Sequence, residues 1–335
     1  MIARTTVSER SWRPLGSGPS RRSRWLRSTL SNMGLLILCT TFLWGIPADA
    51  APEPLRIVFI AYQNPNQLVE DVRPVVAYLE ERLQRKVEYF TATDYAAVVE
   101  ALRNETADVG FMGPLQYLLA HEHAGARPIL GEIYNGSSTY HSRIFVRKDS
   151  GIRNLKDLKG KNFAFVDPIS SSGYLYPLEI FVEAGLIENR DQTDRFFRRN
   201  YFAGGDEQAI RAVLNGFVDA AGIGQYSFSL LRGEERDQVI SIADSKPIPS
   251  HCVVVRKGLE GAAANSLRDS LLALNEGENR PLLKYLYNVD GYVEVDHQTF
   301  AGTEELARKH GFLPALEPSP SEEPASKLDS SGQRK

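Results

Sequence analysis

Three observations predict an α/β fold for this 335-residue chain. From Leu55 onward, short apolar segments alternate with segments of helical period, which is the pattern of βαβ units. The composition is ordinary for a globular protein, with 42% apolar and 24% charged residues. The length suits two domains or two lobes.

The first half of the folded part shows the alternation most clearly. An apolar strand is predicted at 55–61 and a helix at 67–84, although Pro74 in the interior of this helix is unfavourable. Two further strand and helix pairs follow, at 86–90 with 94–105 and at 107–113 with 114–125. Asp94 stands where an N-cap is expected. Proline begins the last helix and Gly125 ends it, as is common at helix ends.

The same pattern repeats in the second half. Further strands are predicted at 142–149, 162–166, 198–202, 218–224 and 252–258. Further helices are predicted at 174–185, 207–216, 262–276 and 302–311.

The first fifty residues have the composition of a secretory signal peptide. Seven arginines precede the apolar run MGLLILCTTFLWGI, and Ala48–Ala50 form an A-x-A site, so cleavage is expected after Ala50. The apolar run is short for a membrane span. We therefore expect an exported, periplasmic protein. A start at Met33 and export by the twin-arginine route both remain open.

Removal of the leader changes the cysteine count and the charge. Cys39 is lost, and the lone Cys252 cannot form an internal disulfide. The leader holds seven basic and two acidic residues, so the remainder has a net charge of −8. A negative net charge does not favour binding to nucleic acid, so we expect no nucleic acid partner. We also expect a monomer. The segment 314–335, rich in Pro, Ser and charge, is expected to be disordered.

The motif DPISSSGYLYP at 167–177 places three serines at a predicted helix start. A helix start offers unpaired backbone N–H groups and partial positive charge, which suit a phosphate-like anion. Serine is also a common N-cap. The motif by itself leaves both interpretations open, with capping favoured.

Four blocks in order resemble the phosphate/phosphite/phosphonate-binding family of periplasmic solute-binding proteins. They lie at 93–120, 139–177, 212–223 and 245–259. The resemblance implies a two-lobed periplasmic binding protein fold (type 2), with the ligand in a cleft between lobes built from sheets and flanking helices. One lobe would comprise 51–141 and 250–313, the other 142–249, with crossings near 140–147 and 248–256.

The resemblance also implies a function and a set of ligand contacts. The family captures small oxyanions for an ABC importer, here without a cofactor; a binding protein that reports to a membrane sensor kinase is the alternative. The family carries a similar series of hydroxyl residues after Asp-Pro. The oxyanion would therefore be bound by Ser170, Ser171, Ser172 and Gly173. Tyr95 and Tyr140 match two positions in the family's cleft.

Three positions depart from the family pattern. Asp206 replaces a histidine that helps to hold the phosphonate, His251 replaces an aspartate of aminophosphonate binders, and Gln225 lies near their glutamate. A carboxylate beside a dianion is repelled. Either Asp206 turns away to cap the helix that follows, which we favour because Gly-Gly-Asp suits capping, or the ligand is not a simple phosphonate.

An enzyme is not expected from the sequence. The chain lacks G-x-S-x-G, P-loop and dinucleotide-binding motifs. The histidines of HEH at 121–123 would point apart on a helix, which makes a poor metal site. A serine hydrolase built on Ser171 and His251 is disfavoured.

Overall fold

The computed structural model describes residues 52–60, 65–92 and 94–315. The predicted signal peptide, its cleavage site and nearly all of the predicted disordered tail lie outside the described residues. Within the described ranges, no helix combines the length and the apolar character that crossing a bilayer requires.

Strands and helices alternate along the chain, as expected. The strands are β1 (Leu55–Ile60), β2 (Val87–Ala92), β3 (Val109–Met112), β4 (Arg127–Ile133), β5 (Thr139–Tyr140), β6 (Ser142–Arg147), β7 (Asn162–Phe165), β8 (Arg199–Phe202), β9 (Ala220–Gly224), β10 (Val239–Asp244), β11 (Ile248–Pro249), β12 (Cys252–Val255) and β13 (Gly291–Glu294). The helices are α1 (Pro65–Leu83), α2 (Tyr95–Arg103), α3 (Pro114–Ala124), α4 (Tyr176–Glu183), α5 (Thr193–Phe196), α6 (Asp206–Leu214), α7 (Gly233–Arg236), α8 (Gly261–Leu272) and α9 (Ala301–Lys309).

The described strands form two large mixed sheets and a small one. The six-stranded sheet has the order β13-β4-β12-β3-β1-β2, and the five-stranded sheet has the order β10-β6-β9-β7-β8. The five-stranded sheet therefore uses only strands between 142 and 244, while the six-stranded sheet takes strands from both sides of that segment. β5 and β11 pair antiparallel where the chain passes between the sheets. The predicted lobe boundaries remain a prediction.

Local sequence signals set several helix ends. The Asp94 carboxylate accepts a hydrogen bond from the Ala97 amide at 2.8 Å, which confirms the predicted cap of α2. Pro114 begins α3, and Gly125 follows its end in the left-handed conformation, at φ 61°. Pro74 lies inside α1, which continues through it.

The serine motif forms a π-helical turn, Ser171–Leu175, between β7 and α4. Such turns are rare and occur frequently at functional sites. The Ser170 hydroxyl accepts a hydrogen bond from the Gly173 amide at 3.0 Å, and the Gly173 carbonyl accepts one from the Val166 amide at 2.9 Å. A Cβ atom on Gly173 would lie 2.3 Å from the Val166 Cβ. Glycine is required here so that the turn can pack against the end of β7.

We expect Gly173→Ala to lower the free energy of unfolding by about 1–3 kcal/mol, the usual cost of overpacking a buried site. Gly302→Ala in α9 is the matched control, because a Cβ there meets no heavy atom within 4 Å. Alanine also suits a helix better than glycine, so the control should be neutral or stabilising. Denaturant unfolding of both variants measures the difference; equal stabilities would contradict the packing argument.

Candidate ligand-binding site

A cavity of about 440 Å³ lies between the two large sheets, and its lining comes from elements of both. This volume is within the range of small-molecule sites. Seven of the nine residues predicted to bind ligand line this cavity: Tyr95, Tyr140, Ser170, Ser171, Ser172, Asp206 and His251.

The other two predicted residues, Gly173 and Gln225, are not part of the lining. Gly173 lies against Val166, as described above. Gln225 begins a short 3₁₀ turn, Gln225–Leu230, and its amide donates to the His141 carbonyl at 2.9 Å. Its neighbours Gly224 and Tyr226 face the cavity instead. The structure therefore gives both residues a structural role in the backbone around the site.

The three serine hydroxyls are buried, and each has a different partner. Ser170 accepts from the Gly173 amide, and Ser171 accepts from the Leu115 amide at 2.8 Å. Ser172 is hydrogen-bonded to the Tyr140 hydroxyl. A hydroxyl that accepts from an amide still has its own O–H to donate. Ser170 and Ser171 each keep an O–H group that can donate, and both residues line the cavity.

A second helix start meets the serine turn. Leu115 is the second residue of α3, so its amide is one of the unpaired N–H groups of that helix start. The Gln116 side chain holds the region together: its Oε1 accepts from the Gly113 amide at 2.7 Å, and its Nε2 donates to the Tyr95 carbonyl at 3.3 Å. Gly113 and Gln116 also line the cavity, and sequence reasoning missed both.

The favoured prediction that Asp206 caps a helix is wrong. Gly205 occupies the N-cap position of α6 and has no side chain to cap the helix, and Asp206 is the first helical residue. The Asp206 side chain is partly buried, and its carboxylate accepts from the Ser227 hydroxyl at 3.0 Å, from the Gly224 amide, from its own amide and from the Tyr95 hydroxyl. Burial raises its pKa, and these hydrogen bonds oppose the rise. The carboxyl faces the cavity.

Aromatic side chains form another part of the cavity wall. The rings of Tyr226 and Tyr134 lie 5.6 Å apart, and Tyr140 stacks on Tyr226 at 6.3 Å. The Tyr226 hydroxyl donates to the Tyr134 carbonyl at 3.3 Å, a contact between the two halves of the site. The Tyr287 hydroxyl donates to the Ile60 carbonyl at 3.0 Å. Tyr134, Tyr226 and Tyr287 had no local sequence signal.

His251 lines the cavity, and Glu132, which is not part of the lining, lies beside it. The His251 Nδ1 is 3.8 Å from Glu132 Oε2, but burial lowers the pKa of His251 to about 4. Burial raises the pKa of Glu132 to about 7, although a hydrogen bond from the Tyr134 hydroxyl at 2.7 Å lowers this pKa in part. Between about pH 4 and pH 7 both side chains are neutral, so their contact is not an ion pair. His251 is a neutral group at the site.

Charge around the cavity is mostly negative. Among the described lining residues, Lys284 is the single Lys or Arg, and its side chain is exposed. The lining also includes Asp71, Asp206 and Glu207. Within the described ranges, no cluster of three or more His, Cys, Asp or Glu side chains could hold a metal ion. Neutral donors, not cations, must provide most of the attraction for an anion.

Comparison with known proteins gives a consistent result. A family model for the periplasmic substrate-binding protein of phosphonate ABC transporters matches residues 57–300. The phosphate-import protein PhnD of Mycolicibacterium smegmatis is 34% identical over 178 residues, which cover 52% of this chain and 56% of that protein. The phosphonates-binding periplasmic protein of Escherichia coli is 29% identical over 238 residues, covering 69% of each.

Solved structures share the fold. PhnD1 from Prochlorococcus marinus, solved in complex with methylphosphonate, superposes with a TM-score of 0.69 at 20% identity, covering 78% of this chain and 100% of that one. A binding protein component of an ABC phosphonate transporter from Pseudomonas aeruginosa has a TM-score of 0.67 at 24% identity, covering 76% of this chain and 85% of that one. These likenesses confirm the predicted two-lobed α/β fold of type 2 periplasmic binding proteins.

The buried Glu132 predicts a dependence of stability on pH. Because its pKa is raised in the folded state, the carboxyl favours folding at low pH, and this contribution is lost as pH rises through about 7. The difference in unfolding free energy between Glu132→Gln and wild type should move by about 3 kcal/mol in favour of the variant between about pH 4 and pH 8. Denaturant titrations at several pH values measure it. A difference that stays constant across this range would contradict the raised pKa.

Proposed function

The chain belongs to the family of periplasmic substrate-binding proteins of phosphonate ABC transporters, and from this membership we propose that it captures a small oxyanion and delivers it to an ABC importer. The expected ligand is of the phosphonate, phosphite or phosphate type. The three relatives named above as phosphate-import, phosphonates-binding and methylphosphonate-bound proteins support this class.

The observation that carries the proposal is the meeting of two helix starts at one cavity. The serine turn precedes α4 on one side, and the start of α3 lies on the other, joined by the 2.8 Å hydrogen bond from the Leu115 amide to Ser171. Helix starts carry partial positive charge, which stabilises an anion without a charged side chain. This suits a site whose lining is otherwise acidic.

The serines supply directional donors in the proposed complex. Ser170 and Ser171 each accept one hydrogen bond from a backbone amide, so their O–H groups can turn toward ligand oxygens. Ser172 and Tyr140 are already hydrogen-bonded to each other, which fixes their orientation. Hydrogen bonds to a charged acceptor are stronger than those between neutral groups. A tetrahedral oxyanion would use several of these donors at once.

We propose a place in the periplasm, with a membrane permease as partner and no nucleic acid. The basic leader and its A-x-A site support export, and family membership supports a transport role rather than catalysis. A monomer fits capture in a cleft. A binding protein that reports to a sensor kinase would use the same site, so the ligand test below applies to both roles.

We expect Ser171→Ala to weaken methylphosphonate binding about 10- to 150-fold, since it removes one hydrogen bond to a charged group. Ser241→Ala is the matched control, because Ser241 is exposed on β10 and bonds only within its own segment. Isothermal titration calorimetry on wild type and both variants measures the affinities.

Two results would contradict these expectations. If wild type binds no phosphonate, phosphite or phosphate, the proposed function is wrong. If Ser171→Ala binds methylphosphonate as tightly as wild type and Ser241→Ala, the serine turn is a helix start without a ligand role.

A further inference from the structure

Asp206 lies beside the serine turn, and Gly224 links the two. The Gly224 amide donates to the Asp206 carboxylate. A Cβ atom on Gly224 would lie 3.1 Å from the Ser172 Oγ and 3.5 Å from the Tyr140 Cε2. Asp206 and Ser172 therefore flank the same backbone residue. An oxyanion held by the serines would be close to a carboxylate.

The groups that face Asp206 do not neutralise it with a cation. Tyr95 on α2 and Ser227 on the turn after β9 donate to it, and Tyr140 on β5 lies within electrostatic range. Glu207, next on α6, is engaged by Arg211 at 2.8 Å. The other titratable groups near this cluster are Asp167 after β7, Asp94 before α2, and His251, which is neutral above about pH 4.

A doubly charged oxyanion would meet an unfavourable field at this position. Two like charges in a buried site repel by several kcal/mol unless one of them is protonated. A ligand that carries a proton on one oxygen avoids this repulsion and offers a hydrogen bond to the carboxylate. An analogue without a proton to donate loses this hydrogen bond to the carboxylate and still meets its charge.

Building on the proposed function, we propose that this site selects a singly charged oxyanion that keeps a P–O–H group, and that Asp206 accepts a hydrogen bond from that group. The serine turn binds the unprotonated oxygens of the ligand, and Asp206 accepts the hydrogen bond from the protonated oxygen. The ligand class is thus a singly charged oxyanion with a P–O–H group, which is a hydrogen phosphonate, hydrogen phosphite or dihydrogen phosphate monoanion, and Asp206 is a specificity-determining residue. The raised pKa of Asp206 agrees with a proton shared between the carboxyl and the ligand.

Methylphosphonate and methanesulfonate form a matched pair of probes. They have similar shapes, but methanesulfonate is a monoanion without a proton to donate. Near neutral pH, wild type should bind methylphosphonate about 10- to 150-fold more tightly than methanesulfonate, the range of one hydrogen bond to a charged group. Asp206→Asn keeps the size and an oxygen acceptor but adds an N–H donor, so this selectivity should largely disappear. Asp269→Asn on α8 makes the same chemical change at an exposed carboxylate that pairs with Arg268 outside the cavity lining, and it should keep the selectivity.

Proton uptake gives a second readout that a structural effect would not reproduce. Above the second pKa of methylphosphonic acid, wild type should take up about one proton per ligand bound, and Asp206→Asn should take up far less. Calorimetry in buffers of different ionisation enthalpy measures the uptake. Equal wild-type affinities for the two probes, or uptake that Asp206→Asn leaves unchanged, would overturn the inference.

Two further outcomes separate this inference from the function on which it rests. If methylphosphonate binds wild type, and Ser171→Ala weakens it, but selectivity over methanesulfonate is absent, the function stands and the role of Asp206 is overturned. If 2-aminoethylphosphonate binds more tightly than methylphosphonate only when Asp206 is present, Asp206 pairs with an amine and the inference is also overturned. Absence of binding by all probes removes both.

Discussion

The hydrogen bond from the Leu115 amide to the Ser171 hydroxyl joins two helix starts, one after β3 of the six-stranded sheet and one after β7 of the five-stranded sheet. Buried amides and hydroxyls need partners, and here each partially satisfies the other. Ser171 accepts from α3 and can still donate to a ligand, so the same atom connects the two halves and offers a contact to the anion. The packing of Gly173 against Val166 holds the turn in place. The candidate site therefore depends on backbone geometry at the junction between the sheets.

Local patterns were sufficient to predict most of the fold. β1, β3 and β7 are short apolar runs between turn residues, and α2 and α3 carry clear end signals. Local patterns did not predict β4, β10 and β13, nor the two-residue strands β5 and β11. β4 contains Pro128 and Gly131, which are usually turn signals, and β13 has four residues. These strands are set by pairing partners far along the chain, such as Glu132 with Tyr292, and such pairing leaves little local trace.

The candidate site was predicted in part. The serine turn, Tyr95, Tyr140 and His251 were found through the resemblance and do line one cavity. The orientation of Asp206 was not predicted, because it depends on which residue takes the N-cap position of α6. Gly205 takes that position, so the Asp206 carboxylate faces the cavity instead of capping the helix. Glu132 is buried by contacts that sequence spacing does not reveal, although a lone acid in an apolar strand could have been noticed. Long-range packing decides both cases.

A crystal structure of the protein with methylphosphonate tests the central claim most directly. Phosphonate oxygens should lie within hydrogen-bond distance, about 2.5–3.0 Å, of the hydroxyls of Ser170 and Ser171, and one oxygen should lie at a similar distance from the Asp206 carboxyl. The Leu115 amide should still donate to Ser171 in the complex. A phosphonate bound elsewhere in the cavity, or one held by Lys284 without the serine turn, would contradict it.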